Sequence, residues 1–222
     1  MRRFAEILEI AAARKGGVDA VMAGMPPVKS PDELAAIPDD RWLAQMARGI
    51  FQAGISWAVV KAKWPEIEEA FQGFDPGHVA MIEGDALEAL LSDRRVIRSG
   101  AKIVAIRDNA VFIGKVAASH GSFGRRVADW PAEDFAGLLA WLGKEGSRLG
   151  GATGPYMLRA MGKESFILSR DVQARLVAEG VIDGPASSAR AMKAVQAAFN
   201  RWSAESGLSL TVISRVLAQS IG

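Results

Sequence analysis

Cysteine is absent from the 222 residues, and histidine occurs only at His78 and His120. Without thiols the chain forms no disulfide and no zinc site with thiolate ligands, which fits a reducing compartment. With two histidines, a metal site would depend almost entirely on carboxylates. We therefore predict no metal, no cofactor and no functional role for either histidine.

Long hydrophobic runs are also missing. Charged residues, glycine or proline interrupt every stretch well before the ~20 apolar residues that a membrane-spanning helix needs. The first segment, MRRFAEILEIAAARKGG, contains Glu6 and Glu9 and is typical of a short amphipathic helix rather than a signal or transit peptide. We expect no membrane partner and a cytoplasmic location.

Neither sign of charge is in large excess, because 27 basic and 25 acidic side chains leave a net charge of +2. Any surface that binds a polyanion must therefore be local. Residues 93–126 contain eight basic and two acidic side chains, a net charge of +6. Such a segment is found on a solvated helix face as well as along a phosphate track, and both interpretations stay open here.

The pattern of apolar residues is helical nearly throughout. Half of the residues are apolar and 23% are charged, as in folded proteins. Apolar residues recur three and four positions apart, as at Trp42, Met46 and Ile50, and caps such as Ser30 precede these stretches. Strand-like fragments at 104–106 and 111–113 lie inside a helical period. We predict an all-α fold of about ten to twelve short helices.

Residues 149–156, LGGATGPY, form the most informative loop. Its glycines allow backbone conformations closed to other residues and leave amides without side-chain cover. Outward-facing amides beside a helix N-terminus attract phosphate, which makes Gly151, Thr153 and Gly154 candidates to anchor a DNA backbone. A tight helix–helix turn is the alternative, and the glycine count alone favours that turn.

Asp171 follows Gly154 by seventeen positions and lies at a predicted helix start. This spacing resembles the helix-hairpin-helix DNA glycosylases, in which a glycine hairpin grips DNA and an aspartate one helix later faces the excised base. The resemblance makes Asp171 the candidate catalytic residue. A plain helix cap is the alternative for this side chain.

Several short motifs resemble a second family. Residues 52–57 read QAGISW, FDP follows at 74–76, VIR at 96–98 and GAKI at 100–103, and Asn109 and Ala110 close the series. In order and spacing, these residues resemble 3-methyladenine DNA glycosylase I over residues 42–112. The resemblance implies two helical subdomains with a helix-hairpin-helix motif and a cleft between them.

We accordingly divide the chain into three parts. These are N-terminal helices that pack with the C-terminal ones (1–41), a subdomain with the hairpin near 149–154 (42–165) and a C-terminal helical part (166–222).

The chain also departs from that family. The family's zinc ligands, cysteines and histidines near its two ends, are missing here. In that family, a glutamate eight residues before the tryptophan recognises the damaged base. In this chain Gly49 occupies the position of that glutamate. Conversely, the family lacks the superfamily's catalytic aspartate, which we expect Asp171 to supply here, as in the broader alkylpurine glycosylases.

The resemblance assigns a base-binding role to three residues. We expect Trp57 to offer a face on which a flipped base can stack, Tyr156 to line the same pocket, and Gln52 to hydrogen-bond a base edge. Without the QAGISW context, Trp57 would be interpreted as an ordinary core residue.

Three further residues are candidates for contacts with DNA. We expect Ile55 to act as an apolar wedge that enters the gap left in the base stack, and Arg98 and Lys102 to contact phosphates. No lysine follows the hairpin before Lys163. Bifunctional members of the superfamily use a lysine there to form a Schiff base, so we expect no lyase activity.

The predicted function is a monofunctional DNA glycosylase of base-excision repair that removes alkylated, 3-methyladenine-like bases by hydrolysis of the N-glycosidic bond. Asp171 would stabilise the positive charge that develops on the sugar. The expected partner is duplex DNA with a damaged base, and we expect a monomer. One alternative is a non-catalytic DNA-binding helix-hairpin-helix protein that has lost glycosylase activity, and another is an all-α protein with no nucleic-acid role.

Overall fold

The computed structural model describes residues 1–221, and Gly222, the last residue of the predicted C-terminal part, lies outside the described residues. Within the described chain the structure is all-α, without a strand, as predicted. The α-helices are α1 (Phe4–Lys15), α2 (Val18–Met22), α3 (Pro31–Ala35), α4 (Asp39–Gln52), α5 (Trp57–Ala70), α6 (Pro76–Ala80), α7 (Gly84–Ser92), α8 (Gly100–His120), α9 (Phe123–Ala128), α10 (Phe135–Glu145), α11 (Thr153–Met161), α12 (Arg170–Ala178), α13 (Ala189–Ser206) and α14 (Leu210–Gln219). Two 3₁₀ turns, Gln72–Phe74 and Ala132–Asp134, complete the described secondary structure.

Local signals explain several helix ends. The Ser30 side chain accepts a hydrogen bond from the Glu33 amide at the start of α3, and the Glu33 carboxylate accepts one from the Ser30 amide, which forms a capping box. Gly16 ends α1 with φ 87°, a left-handed conformation that glycine adopts without strain. The five-residue helices α2 and α6 are too short to show a helical period, which is why the helices outnumber the expectation.

The chain forms two compact units. The central unit contains residues 29–130 and 139–161, and the terminal unit contains residues 1–28, 131–138 and the chain from 162 onward. In the central unit, α8 packs against α4, α6 and α9, while α11 packs against α4. In the terminal unit, α14 packs against α1, α12 and α13. The predicted domain boundaries after residues 41 and 165 stay predictions.

Buried side chains fill each unit. In the central unit, α4 contributes Trp42, Leu43 and Met46, as its apolar spacing predicted. The 104–106 and 111–113 fragments both lie within α8, as the helical period indicated. None of the helices in residues 1–221 combines the length and the apolar character that crossing a bilayer requires.

Candidate functional site

A cavity of about 590 Å³ lies between α4 and α11 in the central unit, and its size is that of a small-molecule site. We call it the α4–α11 cavity. Its lining residues are Gln45, Arg48, Gly49, Gln52, Ala53, Trp57, Ala152, Thr153, Tyr156, Met157, Arg159 and Ala160. The first four share one face of α4, because helical residues three, four and seven positions apart point the same way.

Two aromatic rings form one wall of the cavity. Trp57 begins α5 directly after the loop 53–56, and Tyr156 lies in the first turns of α11. Their ring centroids are 5.7 Å apart and the ring planes are perpendicular, an edge-to-face geometry that aromatic pairs favour. Trp57 is 56% exposed, so it is not a core residue. The exposed indole is available for stacking against a flat ligand.

Gly49 occupies the position of the family's glutamate and marks a close approach of two helices. A Cβ atom at residue 49 would lie 3.0 Å from Cγ2 of Thr153. A larger side chain would therefore require Thr153 to shift. None of the lining residues carries a carboxylate, so the structure offers no substitute for the missing acid within this lining.

The helix-hairpin-helix consists of α10, the loop 146–152 and α11. Gly151 is exposed with φ 60°, and a side chain there would meet open space. Gly154, in contrast, is buried in α11, and a Cβ atom would lie 2.6 Å from the Leu149 carbonyl oxygen. The two glycines thus serve different needs, since Gly151 supplies a left-handed conformation and Gly154 allows close packing.

Asn109, a member of the predicted motif series, holds the start of the hairpin. Its buried side chain donates from Nδ2 to the Ser147 carbonyl oxygen at 2.8 Å and accepts from the Ser147 amide at 2.8 Å. Both polar groups of the amide side chain are satisfied by one residue of the loop. The motif series in the sequence includes Asn109 but does not indicate this role, because the pairing joins segments far apart in the sequence.

Lys102 holds the other loop beside the cavity. Its ammonium group donates to the carbonyl oxygens of Phe51 at 3.0 Å and Ala53 at 2.7 Å, at the C-terminal end of α4. Burial, together with the charge of Arg148, lowers the pKa of Lys102. These hydrogen bonds favour a role in positioning the loop 53–56, and the predicted phosphate contact stays a prediction.

The remaining DNA-contact candidates are solvent-accessible. Arg98 is exposed, and its side chain has no hydrogen bond or ion pair within residues 1–221. Ile55 is half-buried in the loop after Gly54, which has φ 78°. Gln52, at the end of α4, is half-buried and lines the cavity.

Asp171 lies in the terminal unit, as the second residue of α12. Ser169 caps this helix, because its side chain accepts a hydrogen bond from the Val172 amide. The interpretation of Asp171 as a helix cap is therefore wrong. The Asp171 carboxylate is exposed and has no hydrogen bond or ion pair within residues 1–221. Its catalytic role stays a prediction.

Arg48 and Gln45 line the cavity but were missed in the sequence. They lie four and seven positions before Gln52, on the same helix face, and this spacing was the available signal. It is a weak signal, because solvent-facing polar residues of any helix show the same spacing.

A family model described as methyladenine glycosylase matches residues 37–134. The chain is similar to methyladenine glycosylases. Over 59 residues it is 41% identical to DNA-3-methyladenine glycosylase 1 of Escherichia coli strain K12 and 39% identical to DNA-3-methyladenine glycosylase of Haemophilus influenzae. Each alignment covers 27% of this chain and 32% of the relative, so the matched region spans about a third of these curated relatives.

Solved structures resemble the fold over a longer part of the chain. 3-methyladenine DNA glycosylase I from Staphylococcus aureus superimposes with a TM-score of 0.51 at 21% identity, covering 64% of this chain and 82% of that protein. A second structure of 3-methyladenine DNA glycosylase I gives a TM-score of 0.50 at 23% identity, with 65% and 87% covered. The resemblance found in the motifs is confirmed, and so is the all-α fold.

Proposed function

We propose that this protein is a monofunctional DNA glycosylase that removes alkylated, 3-methyladenine-like bases from duplex DNA in base-excision repair. The observation that carries the proposal is the exposed Trp57 ring, which meets Tyr156 edge-to-face at a cavity of ligand size. The family match over residues 37–134 includes Trp57 and supports the same activity. We further propose that the protein acts as a monomer in the cytoplasm.

The proposed reaction begins when the damaged nucleotide leaves the duplex. Unstacking costs a few kcal/mol and is cheapest for a damaged base. Stacking on an aromatic ring returns about 1–3 kcal/mol per base, so Trp57 can offset much of this cost. In the proposal, Gln52 and Tyr156 bind the edge of the base and Ile55 fills the gap in the stack.

We propose that the hairpin and the basic segment 93–126 contact the DNA backbone. The Gly151, Thr153 and Gly154 amides and the Arg98 side chain would contact phosphates, which fixes the position of the DNA without reading its sequence. Arg98 suits this role best, because its guanidinium is exposed and unpaired within residues 1–221.

The bond that breaks joins the base nitrogen to C1′ of the sugar, and positive charge develops on the sugar in the transition state. A carboxylate at Asp171 would stabilise this charge and orient the attacking water. No lysine lies between the hairpin and Lys163, which is buried. Hydrolysis without Schiff-base formation is therefore the proposed route.

The test measures the free base released from methylated duplex DNA by the purified protein. We expect Asp171→Asn to abolish release while DNA affinity stays within a few-fold, because binding depends on other groups. Asp183→Asn is the matched control, since Asp183 is also an exposed aspartate of the terminal unit.

Two results would contradict the proposal. Undiminished release by Asp171→Asn would remove this residue from the mechanism. Salt-sensitive duplex binding without release of any base would replace the enzyme with the non-catalytic DNA-binding alternative.

A further inference from the structure

The α4–α11 cavity contains a cation without an acidic partner. The guanidinium carbon of Arg48 lies 4.4 Å from the ring centroid of Trp64, which is 8% exposed. Within residues 1–221, Arg48 has no hydrogen bond and no ion pair. Stacking on an aromatic face orients a guanidinium and leaves its in-plane N–H groups available to other partners. The Arg48 guanidinium in the cavity lining is therefore held in place by Trp64, and its N–H groups are available to a ligand.

The groups around Arg48 do not neutralise it. Gln45, Gln52, Thr153 and Tyr156 supply neutral polar groups, and no lining residue is acidic. Arg159 is a second lining cation, but it has interactions of its own. At Gly49 an added acid would have to displace Thr153, whose Cγ2 lies 3.0 Å from the added Cβ.

These charges distinguish two kinds of base. An adenine nucleotide methylated at N3 carries a positive charge, and Arg48 repels it in a half-buried cavity where charges are weakly screened. A neutral purine with a carbonyl oxygen instead accepts a charge-assisted hydrogen bond from the guanidinium. Arg48 therefore opposes the first kind of base and favours the second.

We propose that the α4–α11 cavity also takes a neutral purine with a carbonyl acceptor, of the hypoxanthine class, and that Arg48 determines this specificity. The proposal rests on the proposed glycosylase function for the source of the base and adds a substrate class to it. Guanine carries the same carbonyl oxygen, but it is held in a stable pair with cytosine. Hypoxanthine mispaired with thymine leaves the stack at lower cost.

The first experiment measures release of hypoxanthine and of 3-methyladenine from matched duplexes by the wild type and by Arg48→Met. Methionine keeps apolar contact with Trp64 and removes the donors and the charge. We expect hypoxanthine release to fall about tenfold or more, as the loss of a hydrogen bond to a charged group predicts, while 3-methyladenine release rises because the repulsion is removed. Equal losses for both bases would overturn the assignment, because they would indicate general damage to the cavity.

Arg48→Lys separates charge from hydrogen-bond geometry. Lysine keeps the positive charge but loses the planar fork. We expect reduced hypoxanthine release with no gain for 3-methyladenine, since the repulsion persists. A lysine variant with wild-type hypoxanthine release would contradict a specific role for the guanidinium.

A binding measurement separates this proposal from the proposed function. Free hypoxanthine or free 3-methyladenine is added to the wild type and to each variant, and binding is measured by the change in tryptophan fluorescence. Hypoxanthine binding that Arg48→Met abolishes, without release of any base from DNA, would support the cavity assignment and overturn the glycosylase. Release of 3-methyladenine, with hypoxanthine neither bound nor released, would overturn the cavity assignment alone.

Discussion

Lys102 and Asn109 are two residues of one helix, α8, and each binds the backbone of a different loop at the cavity. Lys102 donates to the end of α4, and Asn109 pairs with Ser147 at the start of the hairpin. The loop 53–56 leads directly into Trp57, and the hairpin leads into α11 with Tyr156. The side chains proposed to bind the base are therefore held by polar residues that line no part of the cavity.

At this scale the prediction concerns Lys102. We expect Lys102→Met to lower the rate of base release about tenfold or more, because a displaced loop misaligns Trp57. The slope of log Kd against log salt should change little, since this ammonium is engaged with carbonyl oxygens. Lys102→Arg should restore part of the rate. The measurements are single-turnover release rates and duplex affinity at several salt concentrations.

Arg98→Met is the control for Lys102. The exposed guanidinium of Arg98 is free to neutralise a phosphate. Its removal should reduce the slope of log Kd against log salt by about one, with less effect on the rate of base release. If Lys102→Met reduces the salt slope in the same way and leaves the release rate intact, Lys102 contacts DNA and does not position the loop.

At the scale of the element, the hairpin shows why neighbouring glycines are not equivalent. Gly151 has a positive φ with open space around its Cα, and Gly154 packs on the Leu149 carbonyl oxygen. Gly150 has neither constraint, because its φ is not in the left-handed region and an added Cβ would be 3.8 Å from Gly143. Gly151 is therefore required for its backbone conformation and Gly154 for close packing, whereas position 150 tolerates a side chain.

These differences predict an order of stability for three alanine variants. Gly154→Ala should be the least stable, by about 1–3 kcal/mol, because the clash is with backbone. Gly151→Ala should lose about 1 kcal/mol from the left-handed conformation, and Gly150→Ala should match the wild type. Urea unfolding midpoints check the order. A Gly154→Ala midpoint equal to that of Gly150→Ala would show that the hairpin relaxes around the new methyl group.

At the scale of the whole molecule, a buried ion network joins the two ends of the chain within the terminal unit. Glu179 accepts hydrogen bonds from the Arg2 amide and guanidinium at 2.8 Å and from Arg175 at 3.2 Å. Arg175 also donates to the Ser220 hydroxyl and carbonyl oxygens. The Glu179 side chain is 1% exposed, so the network belongs to the core of this unit.

The network predicts a dependence of stability on pH. Burial raises the pKa of Glu179, but the hydrogen bonds and charge of Arg2, with help from Arg175, outweigh burial, so the pKa lies below its ordinary value of 4.5. A carboxyl group with a lowered pKa in the folded state stabilises the fold above pH 4.5, and this contribution disappears as pH falls through the folded pKa. We expect the wild-type thermal midpoint to fall over that acidic range.

Glu179→Gln tests this dependence. It should destabilise the protein by about 3–5 kcal/mol at neutral pH, because it leaves Arg175 buried without its counter-charge, and it should flatten the acidic part of the profile. Glu205→Gln is the milder control, since the Glu205 side chain is 28% exposed. A variant profile parallel to that of the wild type below pH 4.5 would assign the acid sensitivity to other carboxylates.

The local features of this protein could be predicted from its sequence. Helical periodicity and the Ser30 cap each depend on residues within a few positions of one another, and the structure contains both. The similarity to methyladenine glycosylases could also be recognised from the sequence, because short motifs such as QAGISW can be identified without knowledge of the fold. The all-α class follows from these local patterns.

The site, by contrast, was decided by tertiary structure. The α4–α11 cavity joins helices far apart in the chain, and only their packing places Gly49 against Thr153 and brings Arg48 into the same lining. The same holds for Lys102, for which the sequence predicted a contact with phosphate, and for Asn109, which the sequence identified only as a member of the motif series. Their partners are backbone groups of distant loops. Sequence spacing specifies which residues share a helix face, but which faces meet depends on how side chains of distant elements pack together.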